Sequence, residues 1–413
     1  MVLEMPKCLR LVRAKPDILL LRVCKVKQRL FMTFKLRLPQ YFSFRLQQEV
    51  KDLYVSAGIA DIALAAMLVF EPIYMYEALQ ISIVQILLFF AAVYAWYIVL
   101  IPFGGKITAR FGYRKAMVVS IPFQILYWGS LLFAAQYPIL LWLAPIFYAL
   151  EKSFYWPGFH AIVARFANQG QVGREFSMLT AIIQGAHILG PLFGGIIAQA
   201  SGGKMLLLVA CGVYLLSIVP LLLHKEQFQE RTFEYRRVWR LFKKYPLFSF
   251  GYWGFGEELL ALTIWPIFIY LVVSGYQDTG LMITAASVIS TVISLYVGKL
   301  TDGHAKLSLL KLGTWITAAG WFVRPFLSGS VGAVTSDTTA RVGKNLYFIP
   351  LSTITYERAE SEDIVPYIVF FEQSLSFGKL AIALLAAGLF ALFGGFGLLF
   401  VLAGAFSLFY FLL

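Results

Sequence analysis

The sequence predicts an all-α protein that crosses a lipid bilayer many times. Of its 413 residues, 60% are hydrophobic and only 14% are charged, and the mean hydropathy is +0.75. A soluble globular chain carries about 25% charged and roughly 45–50% apolar residues. Because one water-soluble core cannot hide this much apolar surface, lipid must solvate a large part of it. We therefore expect a polytopic integral membrane protein.

Twelve apolar runs are long enough to cross the bilayer as helices. About 20 helical residues span the hydrocarbon core, since each residue rises about 1.5 Å. Short polar, glycine or proline segments separate the runs. In chain order, these predicted spans 1 to 12 are 52–72, 82–103, 115–136, 138–162, 175–199, 203–223, 247–272, 280–298, 308–328, 331–356, 366–390 and 392–413.

The distribution of basic residues supports this count. With a cytoplasmic amino terminus, 29 of the 35 Lys and Arg residues fall in cytoplasmic segments, five fall inside spans, and Lys204 alone falls in an outer loop. Cytoplasmic loops of membrane proteins carry an excess of Lys and Arg, and a missed span would scramble the pattern. The net charge of +13 therefore indicates orientation rather than nucleic-acid binding. We expect a cytoplasmic (inner) membrane protein with both termini in the cytoplasm.

The spans divide the chain into four parts. A basic cytoplasmic segment (1–51) precedes a six-helix bundle (52–223), a basic linker (224–246) and a second six-helix bundle (247–413). The first part holds no spanning run, so we expect a poorly ordered tail or a helix lying on anionic headgroups. Alternatively, the natural chain begins at Met32.

An internal repeat relates the two bundles. The segment 72–76 (Pro-Ile-Tyr-Met-Tyr) returns at 266–270 as Pro-Ile-Phe-Ile-Tyr, and 105–108 (Gly-Lys-Ile-Thr) returns at 298–301 as Gly-Lys-Leu-Thr. Pro157 and Arg165 return 193 positions later as Pro350 and Arg358. Three matches at nearly one offset predict parallel bundles related by an axis along the membrane normal.

Two parallel six-helix bundles with a Gly-Lys-rich loop after the second span resemble the major facilitator superfamily. The signature of that loop is Gly, three residues, Asp-Arg, one residue, Gly and two basic residues. Here Gly105, Arg110, Gly112 and Arg114 fit it, whereas Ala109 replaces the acid; the second copy keeps Gly298 and Asp302 but has Gly303 in place of the arginine. The resemblance implies that both loops gate the cytoplasmic side, with a weakened latch in the first half.

A glycine-rich element in span 5 has a second resemblance. It looks like the Gly-Pro-x-x-Gly-Gly element of drug/proton antiporters within the same superfamily, which implies export. Glycines on one helix face also allow close packing against a neighbouring helix, so packing alone explains the pattern as well. The element comprises Gly185, Gly190, Pro191, Gly194 and Gly195.

Charged residues inside the spans are the strongest candidates for function. Each costs roughly 2.5–3.5 kcal/mol at mid-bilayer, so each needs a partner or a watery cavity. The resemblance places spans 1, 4, 7 and 10 around a central cavity, and all four carry charge. We expect substrate contacts from Lys152, Arg341, Lys344, Asn345 and Trp253, and proton coupling through Asp61, Glu151, Glu257, Glu258 and Glu372. Static salt bridges between the halves are the alternative, and Arg324 is expected to extend its head group to the outer interface.

Together these patterns predict a secondary transporter that works by alternating access. We find no nucleotide-binding, metal or nucleophile motif, so no cofactor is expected and an enzyme is disfavoured. The expected partners are a small organic or amphipathic solute, protons and the bilayer, with the protein monomeric. Export is favoured. Organic-anion or sugar uptake and lipid flipping are alternatives, as is a non-transporting receptor or a membrane-embedded enzyme.

Overall fold

The computed structural model describes residues 48–166, 172–226, 228, 230–300, 306–327 and 329–413, and only the backbone of 166, 172–177 and 294–300. The described residues are helical and contain no strand, which confirms the all-α prediction. The predicted amino-terminal segment (1–51) lies almost entirely outside them. In chain order, the helices are α1 (Gln48–Glu77), α2 (Ile83–Phe111), α3 (Tyr113–Phe133), α4 (Ile139–Phe166), α5 (Val172–Leu216), α6 (Ile218–Leu223), α7 (Tyr235–Lys244), α8 (Pro246–Gly251), α9 (Gly256–Val273), α10 (Tyr276–Leu300), α11 (Lys306–Val323), α12 (Gly329–Ser361), α13 (Ile364–Phe393) and α14 (Phe396–Ser407).

Every predicted span overlaps one or more of these helices. By length and apolar composition, six stretches of the described chain can cross a membrane: Gln48–Glu77, Ile83–Phe111, Tyr113–Phe133, Met178–Leu223, Pro246–Val273 and Ile364–Phe393. Helix α12 is not among them, and it carries Asp337, Arg341 and Lys344 in its first half. The twelve-span count stays a prediction.

Glycines and short turns set the helix ends. Ser82 and Gln85 form a reciprocal capping box at the start of α2, where the Gln85 amide donates to Ser82 Oγ and the Ser82 amide donates to Gln85 Oε1. At Gly112 the backbone has φ +120°, a conformation that ends α2 and separates it from α3. Gly202, with φ +81, interrupts the long α5 run at the predicted boundary of spans 5 and 6.

The structure differs from the prediction at the loop after span 2 and within span 7. The gating loop after span 2 is mostly helix, because α2 continues to Phe111 and leaves Gly112 alone outside a helix. Span 7 is broken: a 3-10 turn at Tyr252–Phe255 separates α8 from α9. Gly251, Gly254 and Gly256 surround this turn, and a side chain at any of them would meet atoms of the carboxyl-terminal segment 406–413.

Close helix packing positions the buried polar groups. Helix α1 packs along α5, α2 along α4 and α13, α10 along α5 and α12, and α11 along α12. Small residues permit these approaches, since a Cβ on Gly320 would lie 2.9 Å from the Ala340 amide. Large apolar side chains such as Trp142, Val331 and Leu392 are exposed on the outside. An apolar exterior, with polar groups kept inside and partnered, is the arrangement expected in lipid.

Candidate functional site

Glu258 forms the centre of an ionic cluster of three side chains. It lies near the start of α9, where Lys344 of α12 donates to Oε1 at 2.6 Å and Lys379 of α13 donates to Oε2 at 2.8 Å. One carboxylate therefore neutralises half of the charge of two lysines and joins three helices. Lys344, predicted to bind substrate, is partly exposed here, with 35% of its side chain accessible.

The neighbouring Glu257 has uncharged partners. The Trp321 indole donates to its Oε2 at 2.8 Å and the Tyr347 hydroxyl donates to its Oε1 at 3.0 Å. Its side chain is buried. Two adjacent carboxyl groups, each predicted to couple protons, thus lie in different surroundings: Glu258 is paired with lysines, and Glu257 accepts from an indole and a phenol.

Asp337 lies between two arginines. Arg324 Nη2 is 3.2 Å from Oδ1 and Arg341 Nε is 2.7 Å from Oδ2. The Arg324 guanidinium is also sandwiched between the rings of Trp265 and Trp321, 3.8 and 3.6 Å from their centroids. Arg324 was expected to reach the outer interface, and that expectation is wrong: the residue is 4% exposed, because a buried carboxylate and two indole faces provide partners.

Two predicted proton sites, Glu151 of α4 and Asp61 of α1, differ in their partners. The Tyr214 hydroxyl donates to Glu151 at 3.2 Å. Asp61 is half-buried and has no hydrogen-bond or ion-pair partner among the described residues. A charged carboxylate in an apolar setting is costly unless it is paired, hydrated or protonated. Asp61 is therefore the predicted proton site whose charge is least compensated.

Lys152 lies among aromatic rings. Its ammonium is 4.4 Å from the centroid of Tyr148 and 5.9 Å from those of both Tyr94 and Trp156. No carboxylate in the described part of the chain lies within salt-bridge distance of it. Lys379 approaches the same Tyr94 ring, at 5.4 Å. This cluster, which we call the aromatic cage (Tyr94, Tyr148 and Trp156), stabilises a cation without neutralising it.

The two remaining predicted substrate residues are separated. The Gln184 amide of α5 donates to Asn345 Oδ1 of α12 at 2.7 Å, so Asn345 lies between helices. Trp253 packs in the 3-10 turn with Phe250 and Phe409 as ring neighbours. The substrate and proton assignments of all these residues stay predictions.

Glu372 belongs to a network that sequence reasoning largely missed. His160 Nε2 lies 2.9 Å from Glu372 Oε1, and the Tyr97 hydroxyl donates to Oε2 at 2.9 Å. The other ring nitrogen of His160 lies 2.8 Å from the Tyr356 hydroxyl. All four side chains are buried. Only Glu372 was a candidate; His160, a lone polar residue in an apolar span, was the available signal for the network.

Glu71 is a second missed carboxyl group. Tyr127 donates to one oxygen, and the Trp128 indole donates to the other at 3.2 Å. Glu71 lies inside predicted span 1, one residue before its end, but is not among the predicted candidates. Helix α1 in fact continues to Glu77, which places Glu71 inside the helix and in contact with α3.

The residues of the first signature loop contact the linker. Arg114 is buried against Asp52 at 2.8 Å and donates to the His224 carbonyl at 3.0 Å. Arg110 is exposed and lies 3.7 Å from Glu230. A Cβ on Gly105 would lie 2.7 Å from Val369 of α13, so this glycine allows α2 to approach α13.

Glu226 of the linker caps the amino terminus of α3. Its Oε1 accepts from the amides of Tyr113, at 2.6 Å, and Arg114, at 3.2 Å. Burial raises the pKa of the Glu226 carboxyl, and these amide hydrogen bonds oppose that rise. At Ala109, where the signature has an acid, the carbonyl accepts from the Arg231 amide at 2.9 Å. In the second copy, Gly298 lies in α10, and Asp302 lies outside the described residues.

The span-5 glycines divide by what they contact. A Cβ on Gly190 or Gly194 would lie within 3 Å of α1, and one on Gly195 would lie 2.9 Å from the Tyr276 carbonyl of α10. The Pro191 carbonyl abuts Gly280 of α10. Gly185, in contrast, has open space around it.

Comparison with known proteins gives the identity of the fold. Residues 53–363 match the Major Facilitator Superfamily. A stretch of 114 residues is 27% identical to an uncharacterized MFS-type transporter, YttB, of Bacillus subtilis (strain 168). That match covers 28% of this chain and 28% of the length of that protein. The chain therefore belongs to the Major Facilitator Superfamily, and its apolar helices indicate an integral membrane protein.

Proposed function

We propose that the protein is a proton-coupled antiporter that exports a small amphipathic solute by alternating access. The observation that carries this proposal is the state of Asp61. Asp61 lies inside α1 and is half-buried, and its carboxyl group has no partner among the described residues. A carboxyl group in that condition gains or loses a proton without first breaking an ion pair. The other carboxyl groups predicted to couple protons would each have to give up a hydrogen bond or a salt bridge.

The proposed architecture is two parallel six-helix bundles, 52–223 and 247–413, joined by the linker and monomeric in an inner membrane with cytoplasmic termini. Contacts of α2 with α13 and of α5 with α10 support it, because each pair joins one helix from either segment. The internal repeat supports it independently. In this arrangement α1, α4, α9 and α12 face a common axis.

The aromatic cage supports an amphipathic solute. Aromatic faces bind flat apolar groups and cations. The lysine side chain is flexible, so the Lys152 ammonium can move out of the aromatic cage when a solute enters. The close contacts of Gly190 and Gly194 with α1 connect the export-type element of span 5 to the helix that carries Asp61. This shared packing favours export as the direction.

Uptake of an organic anion is the second candidate. Lys344 and Lys379 share a single carboxylate, as do Arg324 and Arg341, so the cluster of α9, α11, α12 and α13 carries a surplus of positive charge. An anionic substrate group would compensate that surplus. Lys344 is the basic residue of the cluster with the most accessible side chain.

Flux in proteoliposomes tests the proposal and decides between the candidates. The purified chain is reconstituted, and the movement of a panel of amphipathic cations, neutral compounds and organic anions is measured under an imposed pH gradient. We expect the wild type to move cationic or neutral compounds in the direction opposite to the flow of protons down the imposed pH gradient. Flux of anions alone would favour the second candidate.

Asp61→Asn is the decisive variant, and Glu71→Gln is its matched control on the same helix. Asp61→Asn should reduce gradient-driven flux to the level seen without a gradient, while solute exchange at equal pH continues. Glu71→Gln keeps one of the two acceptor oxygens that Tyr127 and Trp128 use, and it should retain coupling. Full gradient-driven flux in a folded Asp61→Asn protein would refute the assignment of Asp61.

A further inference from the structure

The His160 and Glu372 pair joins the two segments that we propose to be separate bundles. His160 lies on α4, and Tyr97, which donates to the other Glu372 oxygen, lies on α2. Glu372 lies on α13, and Tyr356, which contacts the second ring nitrogen, lies on α12. Two members of this network therefore come from 52–223 and two from 247–413.

Three of the four side chains of the network lie close to one end of their helices, while Tyr97 lies at the middle of α2. His160 is six residues before the end of α4 and Tyr356 five before the end of α12, whereas Glu372 is eight residues after the start of α13. At about 1.5 Å per residue, this depth is roughly 10 Å from the end that carries the linker. By the distribution of Lys and Arg, that end is cytoplasmic.

The surroundings exclude water from the pair. The His160 ring stacks on the Trp156 ring with centroids 5.2 Å apart, and it meets the Phe371 ring edge to face with centroids 5.5 Å apart. Glu372 is 4% exposed and Tyr97 is 1% exposed. A hydrogen bond between ionisable groups is strong in such a setting, and separating the groups leaves both unsatisfied.

We propose that the His160–Glu372 pair is the inner gate of the transporter. It is formed when the cytoplasmic ends of the bundles are together and must break whenever the central cavity opens to the cytoplasm. This inference rests on the proposed alternating access but not on the assignment of Asp61. Tyr97 and Tyr356 act as positioning residues, since each orients one member of the pair.

The test is a measurement of distance between spin labels in a chain whose Cys8, Cys24 and Cys211 are replaced by serine. One pair of labels, at Phe111 and Ser361, reports the cytoplasmic ends of α2 and α12. A second pair, at Tyr137 and Phe393, reports the outer ends of α3 and α13. All four positions are exposed. Gradient-driven flux is measured on the same proteins.

Glu372→Gln and His160→Gln should each lengthen the cytoplasmic distance and shorten the outer one. The ratio of open to closed cytoplasmic ends should rise roughly tenfold or more, as expected for the loss of a buried charge-assisted hydrogen bond. Exchanging the two residues, His160→Glu with Glu372→His, should restore the closed population in part. Tyr97→Phe, which removes one bond to Glu372, should give a smaller shift in the same direction.

Tyr252→Phe is the matched control. The Tyr252 hydroxyl is also buried at this end, 3.1 Å from the Thr355 hydroxyl and 3.2 Å from that of Tyr367, but all three residues belong to 247–413. Its loss should lower stability without changing either distance. A shift in this control equal to that of Glu372→Gln would show that any buried lesion opens the protein and would overturn the gate assignment.

The two proposals fail in different ways. If each label pair in the wild type shows only a single distance under all conditions, alternating access itself is contradicted. A wild type with two populations, unchanged in folded Glu372→Gln and Tyr97→Phe proteins, would overturn the gate alone. If Glu372→Gln does not fold, the Tyr97→Phe distances decide the question.

Discussion

Asp337 is the residue on which two buried arginines depend. Its carboxylate is the ion-pair partner of Arg324, whose side chain is 2% exposed, and of Arg341, whose side chain is 27% exposed. An unpaired charge in this interior is costly, and removal of one member of a buried ion pair destabilises a protein by about 3–5 kcal/mol. The acid therefore matters more for folding than either base does.

We predict that Asp337→Asn lowers the free energy of unfolding by about 3–5 kcal/mol. Arg341→Gln should cost less, because Arg324 still neutralises Asp337 and the Arg341 side chain is partly hydrated. Thermal unfolding of both variants in the same detergent measures the difference. Equal losses in the two variants would contradict the dependence of Arg324 on Asp337.

At the level of single residues, sequence predicts which helices carry charge better than it predicts partners. Span membership located Glu257, Glu258, Lys344 and Lys379 correctly inside helices. It could not show that Glu258 pairs with both lysines while Glu257 accepts from an indole. Adjacent residues on a helix point about 100° apart, so the two side chains face different neighbours. His160 and Glu71 were missed because their roles depend on neighbours from distant segments, which no local spacing reveals.

The glycines of α5 act as elements of packing, and they are not equivalent. A Cβ on Gly190 would lie 2.7 Å from the Ala65 Cβ and 2.8 Å from the Ala66 amide of α1. That contact involves backbone, which cannot move aside without shifting the helix. The open space beside Gly185 borders an apolar groove that includes Gly58 and Ile182.

We predict that Gly190→Ala destabilises the protein by about 1–3 kcal/mol, the usual cost of overpacking. Gly185→Ala should be neutral or should stabilise it by up to about 1 kcal/mol, because alanine favours the helix. Thermal unfolding in detergent compares the two. Similar effects for both substitutions would show that the α1–α5 contact does not limit packing at Gly190.

At the level of elements, the sequence predicts helices well and their interruptions poorly. Every predicted span overlaps a helix, and the Ser201–Gly203 boundary coincides with the break at Gly202. The gating loop became helix because residues 105–111 carry no helix breaker after Gly105. The interruption of span 7 at Tyr252–Phe255 depends on packing against residues 406–413, a contact between distant segments.

Across the whole molecule, the predicted linker (224–246) contacts both helical segments at the end that the distribution of Lys and Arg predicts to be cytoplasmic. At its start, Glu226 caps α3 and the Arg231 amide donates to the Ala109 carbonyl. At its end, Lys244 and the Tyr245 hydroxyl donate to Glu362, which lies between α12 and α13. The linker thus supplies at α3 a carboxylate that the signature loop lacks at Ala109.

The two ends of the linker should respond to acid in opposite ways. Burial raises the pKa of Glu226 above its ordinary value of 4.5, so its docking is strongest below that value and weakens as pH rises through the raised pKa. Hydrogen bonds from Lys244 and Tyr245 lower the pKa of Glu362 below 4.5, so its contribution is present above pH 4.5 and is lost as pH falls through the lowered pKa. Between neutral pH and about pH 4.5, only the Glu226 end should tighten.

We predict that a spin label at Lys225 becomes less mobile on acidification from pH 7 to about pH 4.5, whereas a label at Trp239 on α7 does not. Glu226→Gln keeps an acceptor for the α3 amides and removes the titrating carboxyl group, so its label at Lys225 should be immobile throughout. Arg114, Asp52 and His224, which also face this helix end, are unchanged in that variant. A Glu226→Gln protein with the wild-type pH profile would therefore assign the response to those neighbours and contradict the role of Glu226.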